Sequence, residues 1–157
     1  MMAGYDKLTP EGKKFYAEIE KLKDNEVFIG FQAGKKMHTG EDGRSVDIAE
    51  IAAFNEFGTS TSPSRPFLRQ TVDDNKEKIN EACTRAAKQL ANNGNAEQGL
   101  KVLGAYGVKL VQEKIRHGNF KPNAPSTIKM KGSAQPLIDT GQMRQSVHYV
   151  IRKKGEK

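Results

Sequence analysis

The spacing of apolar residues near the start of the chain predicts a helix followed by a strand. Phe15 and Ile19 lie four residues apart, which places them on one face of a helix. Thr9 followed by Pro10 is a typical helix start, because the threonine side chain caps free amides and proline fits the first helical position. The helix should run to about Lys23. Residues 26–32 are β-rich and apolar, and they predict a largely buried strand.

A second strand is predicted at the end of the chain, where Val147, Tyr149 and Ile151 alternate with more polar residues. We expect the first and last strands to pair in a small antiparallel sheet packed against several helices, an α+β fold. A two-stranded sheet is marginal alone. Residues 34–44 should therefore supply further strand, or neighbouring copies of the chain should complete the sheet, which is a reason to expect an oligomer.

The middle of the chain has helical spacing throughout. Asp47 begins a helix that Gly58 ends in a left-handed C-cap, and a second helix runs from residue 66 to residue 90 with a kink near residues 73–74. Cys83 falls on the apolar stripe of this second helix. A third helix runs from residue 96 to residue 117, and Gly104 and Gly107 on its packing face suggest close contact with another helix. Two short helical turns should follow, capped by Ser126 and Thr140.

These elements are consistent with one domain over residues 1–157. We expect residues 1–8 and 153–157 to be flexible, and residues 34–45 to form a mobile loop or hairpin arm. The loop carries Lys35, Lys36 and Arg44, which are candidate partner contacts. A loop with such residues is more often a solvated surface than a binding element.

Charge is unevenly distributed along the chain. It has 26 Lys and Arg against 19 Asp and Glu, a formal net charge of +7. Residues 96–157 contain 12 basic and 4 acidic residues, so all the excess positive charge lies there. Such a surface attracts DNA or an acidic protein. A solvated face with a flexible tail is an equally good interpretation. The candidate contact residues are Lys121, Lys129, Lys131, Arg144 and Arg152.

No motif indicates an enzyme. His38, His117 and His148 lack the spacing that places two ligands on one helix face, and one cysteine excludes a cysteine-based zinc cluster. Gly30 to Lys36 has the wrong glycine spacing for a phosphate-binding loop. We expect no catalytic residue, metal or cofactor. No apolar stretch approaches the 20 or so residues of a membrane span, and no signal peptide is evident, so we expect no membrane contact and a cytoplasmic location.

Two polar segments stand out. In the first, Glu56 could pair with Arg65 or Arg69 and lock a helix-to-helix corner, which we favour over direct contact with a partner. In the second, residues 136–144, Asp139 or Thr140 should cap an anchored turn.

Together these segments resemble the tail-completion and head-tail joining proteins of tailed bacteriophages, a virion-morphogenesis group. The resemblance spans residues 48–151, through Ala52 to Thr59 with Arg65 to Arg69, and Ala124 to Gly132 with Pro136 to Val147. The residues that carry it as a structural or interface motif are Asn55, Glu56, Phe57, Gly58, Arg65, Pro66, Phe67, Arg69, Asp139, Thr140 and Gly141.

The resemblance implies a structural protein in the neck of the virion, assembled in the host cytoplasm. Such proteins form a ring, usually of six copies, between the head-side connector and the tail tube, and the sheet would be extended across subunits of the ring. DNA passes through the lumen without specific binding. From the residues alone, a small basic nucleic-acid-binding protein is the alternative, and an accessory virion enzyme such as a nuclease is a weaker one.

Overall fold

We describe the protein from a computed structural model. The structure describes residues 4–39, 44–92, 94–131, 136–137 and 141–156, with the backbone alone at positions 5, 37–39, 44 and 131.

The described residues form an α+β fold whose helices and strands succeed one another in a fixed order. A short 3-10 helix, Tyr5–Lys7, comes first. The elements that follow are α1 (Pro10–Asp24), β1 (Asn25–Gly30), β2 (Lys36–Thr39), β3 (Arg44–Asp47), α2 (Ile48–Phe57), α3 (Phe67–Asp74), α4 (Lys76–Ala91), α5 (Ala96–His117), α6 (Pro125–Lys131), α7 (Gln142–Gln145) and β4 (His148–Lys153).

The starts of α1 and α2 confirm the caps predicted from sequence. The Thr9 hydroxyl accepts a hydrogen bond from the Gly12 amide at 3.1 Å. The Asp47 carboxylate accepts one from the Ala49 amide at 2.8 Å. Both side chains satisfy amides that have no partner within their helix. These local signals fixed where each helix begins.

The first and last strands pair, as predicted. β1 runs antiparallel to β4, with Val27 opposite Ile151 and Ile29 opposite Tyr149. At the end of the sheet the Lys154 amide donates to the Asp24 carbonyl at 2.7 Å. The C-terminal residues expected to be flexible therefore include one that ends β4 and another held by the backbone of α1.

The two glycines of α5 face the sheet and not another helix, so the close helix contact expected from sequence is wrong. A Cβ at Gly104 would overlap the ring of Tyr149, and a Cβ at Gly107 would overlap the end of the Ile29 side chain. The missing side chains let α5 lie close against β1 and β4. The side chains of Tyr149 and Ile29 thus pack on the longest helix at its two glycines.

Residues 34–45, expected as a mobile loop or hairpin arm, contribute two strands. β2 and β3 pair antiparallel as a separate two-stranded sheet that does not join β1 and β4. At the base of this hairpin the Asp47 carboxylate also accepts from the Gly34 amide, and the Ile48 amide donates to the Lys35 carbonyl at 2.9 Å. The hairpin is therefore fixed to the start of α2, and among the described residues it leaves the β1–β4 sheet two-stranded.

The long helix expected over residues 66–90 is two helices. α3 ends at Asp74 and α4 begins at Lys76, which places the break where a kink was expected. Cys83 is exposed, which corrects its expected place on the apolar face. Ala82 and Leu90 are the buried residues of α4. The helix buries a narrower face than its sequence pattern predicts.

The core lies where α2, α3, α5 and the segment around α7 meet. Phe67 is fully buried there, and its ring packs edge-on against Phe31 with centroids 5.9 Å apart. The buried cluster contains Ala52, Phe67, Val111, Ile115, Leu137, Met143 and Val147.

Candidate functional site

The corner between α2 and α3 is closed by backbone hydrogen bonds. The Arg65 amide donates to the Asn55 carbonyl at 2.6 Å, and the Ser64 hydroxyl donates to the Glu56 carbonyl at 2.7 Å. Gly58 has a positive φ of 77°, and a Cβ there would lie 2.7 Å from the Ser64 amide nitrogen. Its ψ of 173° is not the left-handed C-cap that was expected, but the position still requires glycine.

Glu56 caps α3. Its carboxylate is buried, with 6% of the residue exposed, and accepts hydrogen bonds from the amides of Leu68 at 2.8 Å and Arg69 at 3.1 Å. α3 has Pro66 at its N-cap position and no cap from its own side chains. A carboxylate is well suited to this place because the start of a helix carries free amides and partial positive charge. The expected ion pair of Glu56 with Arg65 or Arg69 is wrong.

Arg65 holds a distant segment instead. Its guanidinium donates to the carbonyls of Lys121 at 2.8 Å and Pro122 at 3.2 Å, and to the Asn123 side-chain oxygen at 3.1 Å. Only 7% of Arg65 is exposed, and this burial lowers the pKa of its guanidinium. Within the described residues no carboxylate forms an ion pair with it. The corner and the segment between α5 and α6 are thereby joined.

The second polar segment packs against the same corner. The Asn55 side-chain amide lies 4.0 Å from the Met143 sulfur, and Phe67, Leu137 and Met143 share the buried core. Gly141 occupies the N-cap position of α7 with φ 76° and ψ 0°, and α7 has no side-chain cap. Asp139 and Thr140, which were expected to cap this turn, lie outside the described residues, so that expectation stays a prediction. The two segments that carry the family resemblance thus meet in space.

The outer side of the corner is apolar. Phe57 is 73% exposed and Phe54 is 52% exposed, three residues apart on α2. The Arg69 side chain is also exposed, whereas Pro66 is half-buried. Phe57 belongs to the structural or interface motif of the resemblance, but the exposure of the two phenylalanines could not be predicted, because a continuous apolar pattern such as that of α2 does not show which face is left open.

The candidate basic contacts lie on separate elements. Lys121 follows α5, Lys129 is exposed on α6, and Lys131 ends α6 with a side chain that the structure does not describe. Arg144 is half-buried on α7. Arg152 lies on the outer face of the sheet, with its guanidinium carbon 5.8 Å from the centre of the Phe28 ring.

The candidate loop contacts lie at the base of the hairpin. Lys35 and Lys36 are exposed, and Arg44 begins β3 with a side chain outside the description. Lys35 and Lys36 therefore belong to a different part of the fold from the candidate basic contacts of the last third of the chain.

A cleft of about 690 Å³ lies between the end of α1 and the start of α5. Its charges are already paired: Glu18 with Lys21 and Glu97 with Lys101, each at 2.6 Å. Side-chain hydrogen bonding to Lys101 lowers the pKa of Glu97, and the same bond raises the pKa of Lys101. The cleft presents salt-bridged side chains and no free nucleophile.

Metal-ligand residues do not converge in the described part of the chain. No group of three or more His, Cys, Asp or Glu side chains there could hold a metal ion. His117 lies in the last turn of α5. The Nδ1 atom of His148 lies 3.3 Å from the Ser146 carbonyl oxygen at the start of β4. The described helices also include none that is long and apolar enough to cross a membrane.

Comparison of the chain with protein-family models, with curated proteins and with solved structures found no match.

Proposed function

We propose that this chain is a structural component of a tailed-bacteriophage virion, a neck or tail-completion protein. In this role copies of the chain form a ring, with six as the expected number, between the head-side connector and the tail tube. The ring acts without catalytic residues or a cofactor, and DNA passes through its lumen. The proposal begins from the resemblance of residues 48–151.

The observation that carries the proposal is the meeting of the two resembling segments in one buried unit. Asn55 contacts Met143, and the buried cluster joins Ala52 and Phe67 of the first segment to Leu137, Met143 and Val147 of the second. The proposal is supported because the two segments that carry the resemblance form one packed unit. The contacts of Glu56 and Arg65 serve architecture, since both side chains bond backbone groups.

The open sheet supports an assembly role. β1 and β4 pack on α5 through one face, while their other face carries Phe28, which is 46% exposed. Packing on α5 stabilises the two-stranded sheet, and a single exposed phenylalanine is ordinary on a protein surface. The support for assembly comes instead from the strand edges, which no described residue pairs and which are templates for another strand. Repetition around a closed ring would give a modest contact of this kind avidity.

The test is to abolish expression of the chain in the phage that encodes it and to examine lysates by negative-stain electron microscopy. We expect filled heads separate from tails, and abnormal tail lengths if the ring also terminates the tail. Complementation with the wild-type chain should restore joined virions. Normal infectious virions without the chain would overturn the proposal.

A nucleic-acid-binding role is the second candidate, and one observation favours it. Among the described residues Arg116, Lys121 and Lys129 form no ion pair, whereas Lys114 pairs with Asp74. Free cations of this kind bind phosphates with an affinity that falls steeply with salt. Duplex DNA binding that weakens several-fold between about 50 and 200 mM salt would support this role. A ring component should show little binding at either salt concentration.

A further inference from the structure

The register of the sheet shows which backbone groups face away from it. The Lys154 amide donates to the Asp24 carbonyl directly opposite, so this is a hydrogen-bonded pair. In an antiparallel sheet such pairs alternate with pairs whose amides and carbonyls point outward. The pairs Val27 with Ile151 and Ile29 with Tyr149 are therefore of the outward type.

No described residue occupies these outward groups on either strand. No backbone hydrogen bond joins Val27, Ile29, Tyr149 or Ile151 on its outward side to any residue that the structure describes. Lys153 differs, because its carbonyl accepts from the Glu156 amide at 3.0 Å. The free edge of β1 and the free edge of β4 thus each offer two residues to another strand, and unpaired edges are templates for such pairing.

The two edges carry opposite charge. β1 and the residue before it include Asp24 and Glu26 and no basic residue. β4 and the residue after it include Arg152, Lys153 and Lys154 and no acidic residue. A strand added to the β1 edge is favoured if it is basic, and a strand added to the β4 edge is favoured if it is acidic.

We propose that the partner of each edge is a second copy of this chain, with β1 of one copy pairing antiparallel with β4 of the next. The inference rests on the proposed function and identifies the strands that would join the ring. In the register that β1 and β4 already share within one copy, Glu26 would stand opposite Arg152 of the neighbour. Phe28 and Val150 would continue as one apolar row across copies.

This head-to-tail arrangement leaves one β1 edge and one β4 edge free at every stage of growth. Such contacts produce rings when the rotation closes. Pairing of β4 with β4 would instead bring two strongly basic strands together, and pairing of β1 with β1 would bring two acidic ones together. Both of those arrangements stop at a dimer.

Two proline variants test the arrangement. V27P removes one of the two outward amides of β1, and I151P removes one of the two of β4. Neither amide is used within the copy, so an edge strand tolerates the change. V27A and I151A are the matched controls, since they shorten the same side chains and keep the amides. Circular dichroism checks that each variant folds, and light scattering after size-exclusion chromatography gives the mass.

The wild-type chain and both alanine controls should form assemblies, whereas each folded proline variant alone should stay at the 17.4 kDa of one chain. Mixing V27P with I151P should give a species of twice that mass and nothing larger, because each supplies the one edge that the other lacks. Assembly of either folded proline variant alone, or no complex on mixing, would overturn the proposal. If a proline variant fails to fold, E26R and R152E in separate chains serve instead, and mixing should again restore assembly. Each of these changes also places like charges opposite one another within its own β1–β4 pair, so circular dichroism must first show that each chain folds.

The outcomes separate this inference from the proposed function. A wild-type chain that remains monomeric would overturn the edge pairing. The proposed function would still stand if phage lacking the chain released separate heads and tails. If the chain forms edge-paired rings but the phage makes normal virions without it, the edge pairing stands and the proposed function is overturned.

Discussion

The carboxylate of Glu18 on α1 accepts a hydrogen bond from the backbone amide of Ala96, the first residue of α5, at 2.7 Å. Its other oxygen pairs with Lys21. The Ala96 amide, and after it Lys21, hold the pKa of Glu18 below its usual value of 4.5. One carboxylate therefore ties the first helix to the longest one, in the way that Glu56 ties α2 to α3.

Glu18 should make stability depend on pH in the acid range. A group whose pKa is lowered by folding contributes stability above its unfolded pKa, and that contribution is lost as pH falls through its folded pKa. E18Q keeps an acceptor oxygen but no longer titrates. The difference in free energy of unfolding between wild type and E18Q should be full above pH 4.5 and shrink below it, as measured by urea unfolding across that range.

The control for this experiment is E20Q on the same helix. Glu20 pairs only with exposed Lys23, three residues away, and that pair raises the pKa of Lys23. Exposed pairs contribute little. E20Q should therefore leave the free energy of unfolding nearly unchanged. A difference between wild type and E18Q that does not vary with pH would contradict the role given to Glu18.

Removal of the Glu56 carboxylate should destabilise the fold. E56A leaves the amides of Leu68 and Arg69 without their acceptor at a buried helix start, and the loss of a buried hydrogen-bond partner costs about 1–3 kcal/mol. Urea denaturation measures the change. E50A, at an exposed position of the same helix, is the control and should change stability by less than about 0.5 kcal/mol. Equal stability of the two variants would contradict the cap.

Three glycines of α5 should respond differently to alanine. G99A adds a methyl group 3.9 Å from Ala86 and should stabilise the chain by up to about 1 kcal/mol through helix propensity. G104A meets the rigid ring of Tyr149 and should destabilise it by about 1–3 kcal/mol. G107A meets only the end of Ile29, which can turn aside, and should fall between the two. Thermal unfolding would test this order, and the opposite order would contradict the packing.

Replacement of Arg65 by lysine should destabilise the fold. The guanidinium bonds three oxygens in the 121–123 segment from two of its nitrogens, and a lysine ammonium cannot reproduce that planar arrangement. R65K should lose about 1–3 kcal/mol and speed amide hydrogen exchange around residues 118–124. R69K, at an exposed side chain, is the control. Unchanged exchange in that segment would show that Arg65 does not hold it.

Sequence patterns predicted the elements well where the signals are local. The bounds of α5 and the caps at Thr9 and Asp47 follow from spacing and residue type over a few positions. The pairing of the terminal strands was predicted for a different reason, because the alternation of apolar residues predicted only these two strands with any clarity. The hydrogen-bond partners of Glu56 could not be predicted from the sequence, because they depend on the position of the start of α3 in the folded chain. A signal was present: α3 begins at Pro66 with no capping side chain, so its cap had to come from elsewhere.

The glycines of α5 show the same limit. Their spacing reveals a close approach on the buried face, but not whether a helix or a strand makes it. Cys83 shows a second limit, since an apolar residue on the predicted stripe can lie beyond the part of the helix face that a neighbour covers. The residues that face outward at the edges of the sheet could not be predicted from the sequence either, because they depend on the register of β1 and β4.

The sheet joins two segments that lie far apart in the sequence, with β1 at Asn25–Gly30 and β4 at His148–Lys153. During synthesis β1 leaves the ribosome long before β4 does, and contacts between such distant segments form slowly. A chain that stops short of β4 would lack the basic edge, so in the arrangement proposed above it could not extend a growing assembly. The order of translation would thereby keep incomplete copies out of the ring.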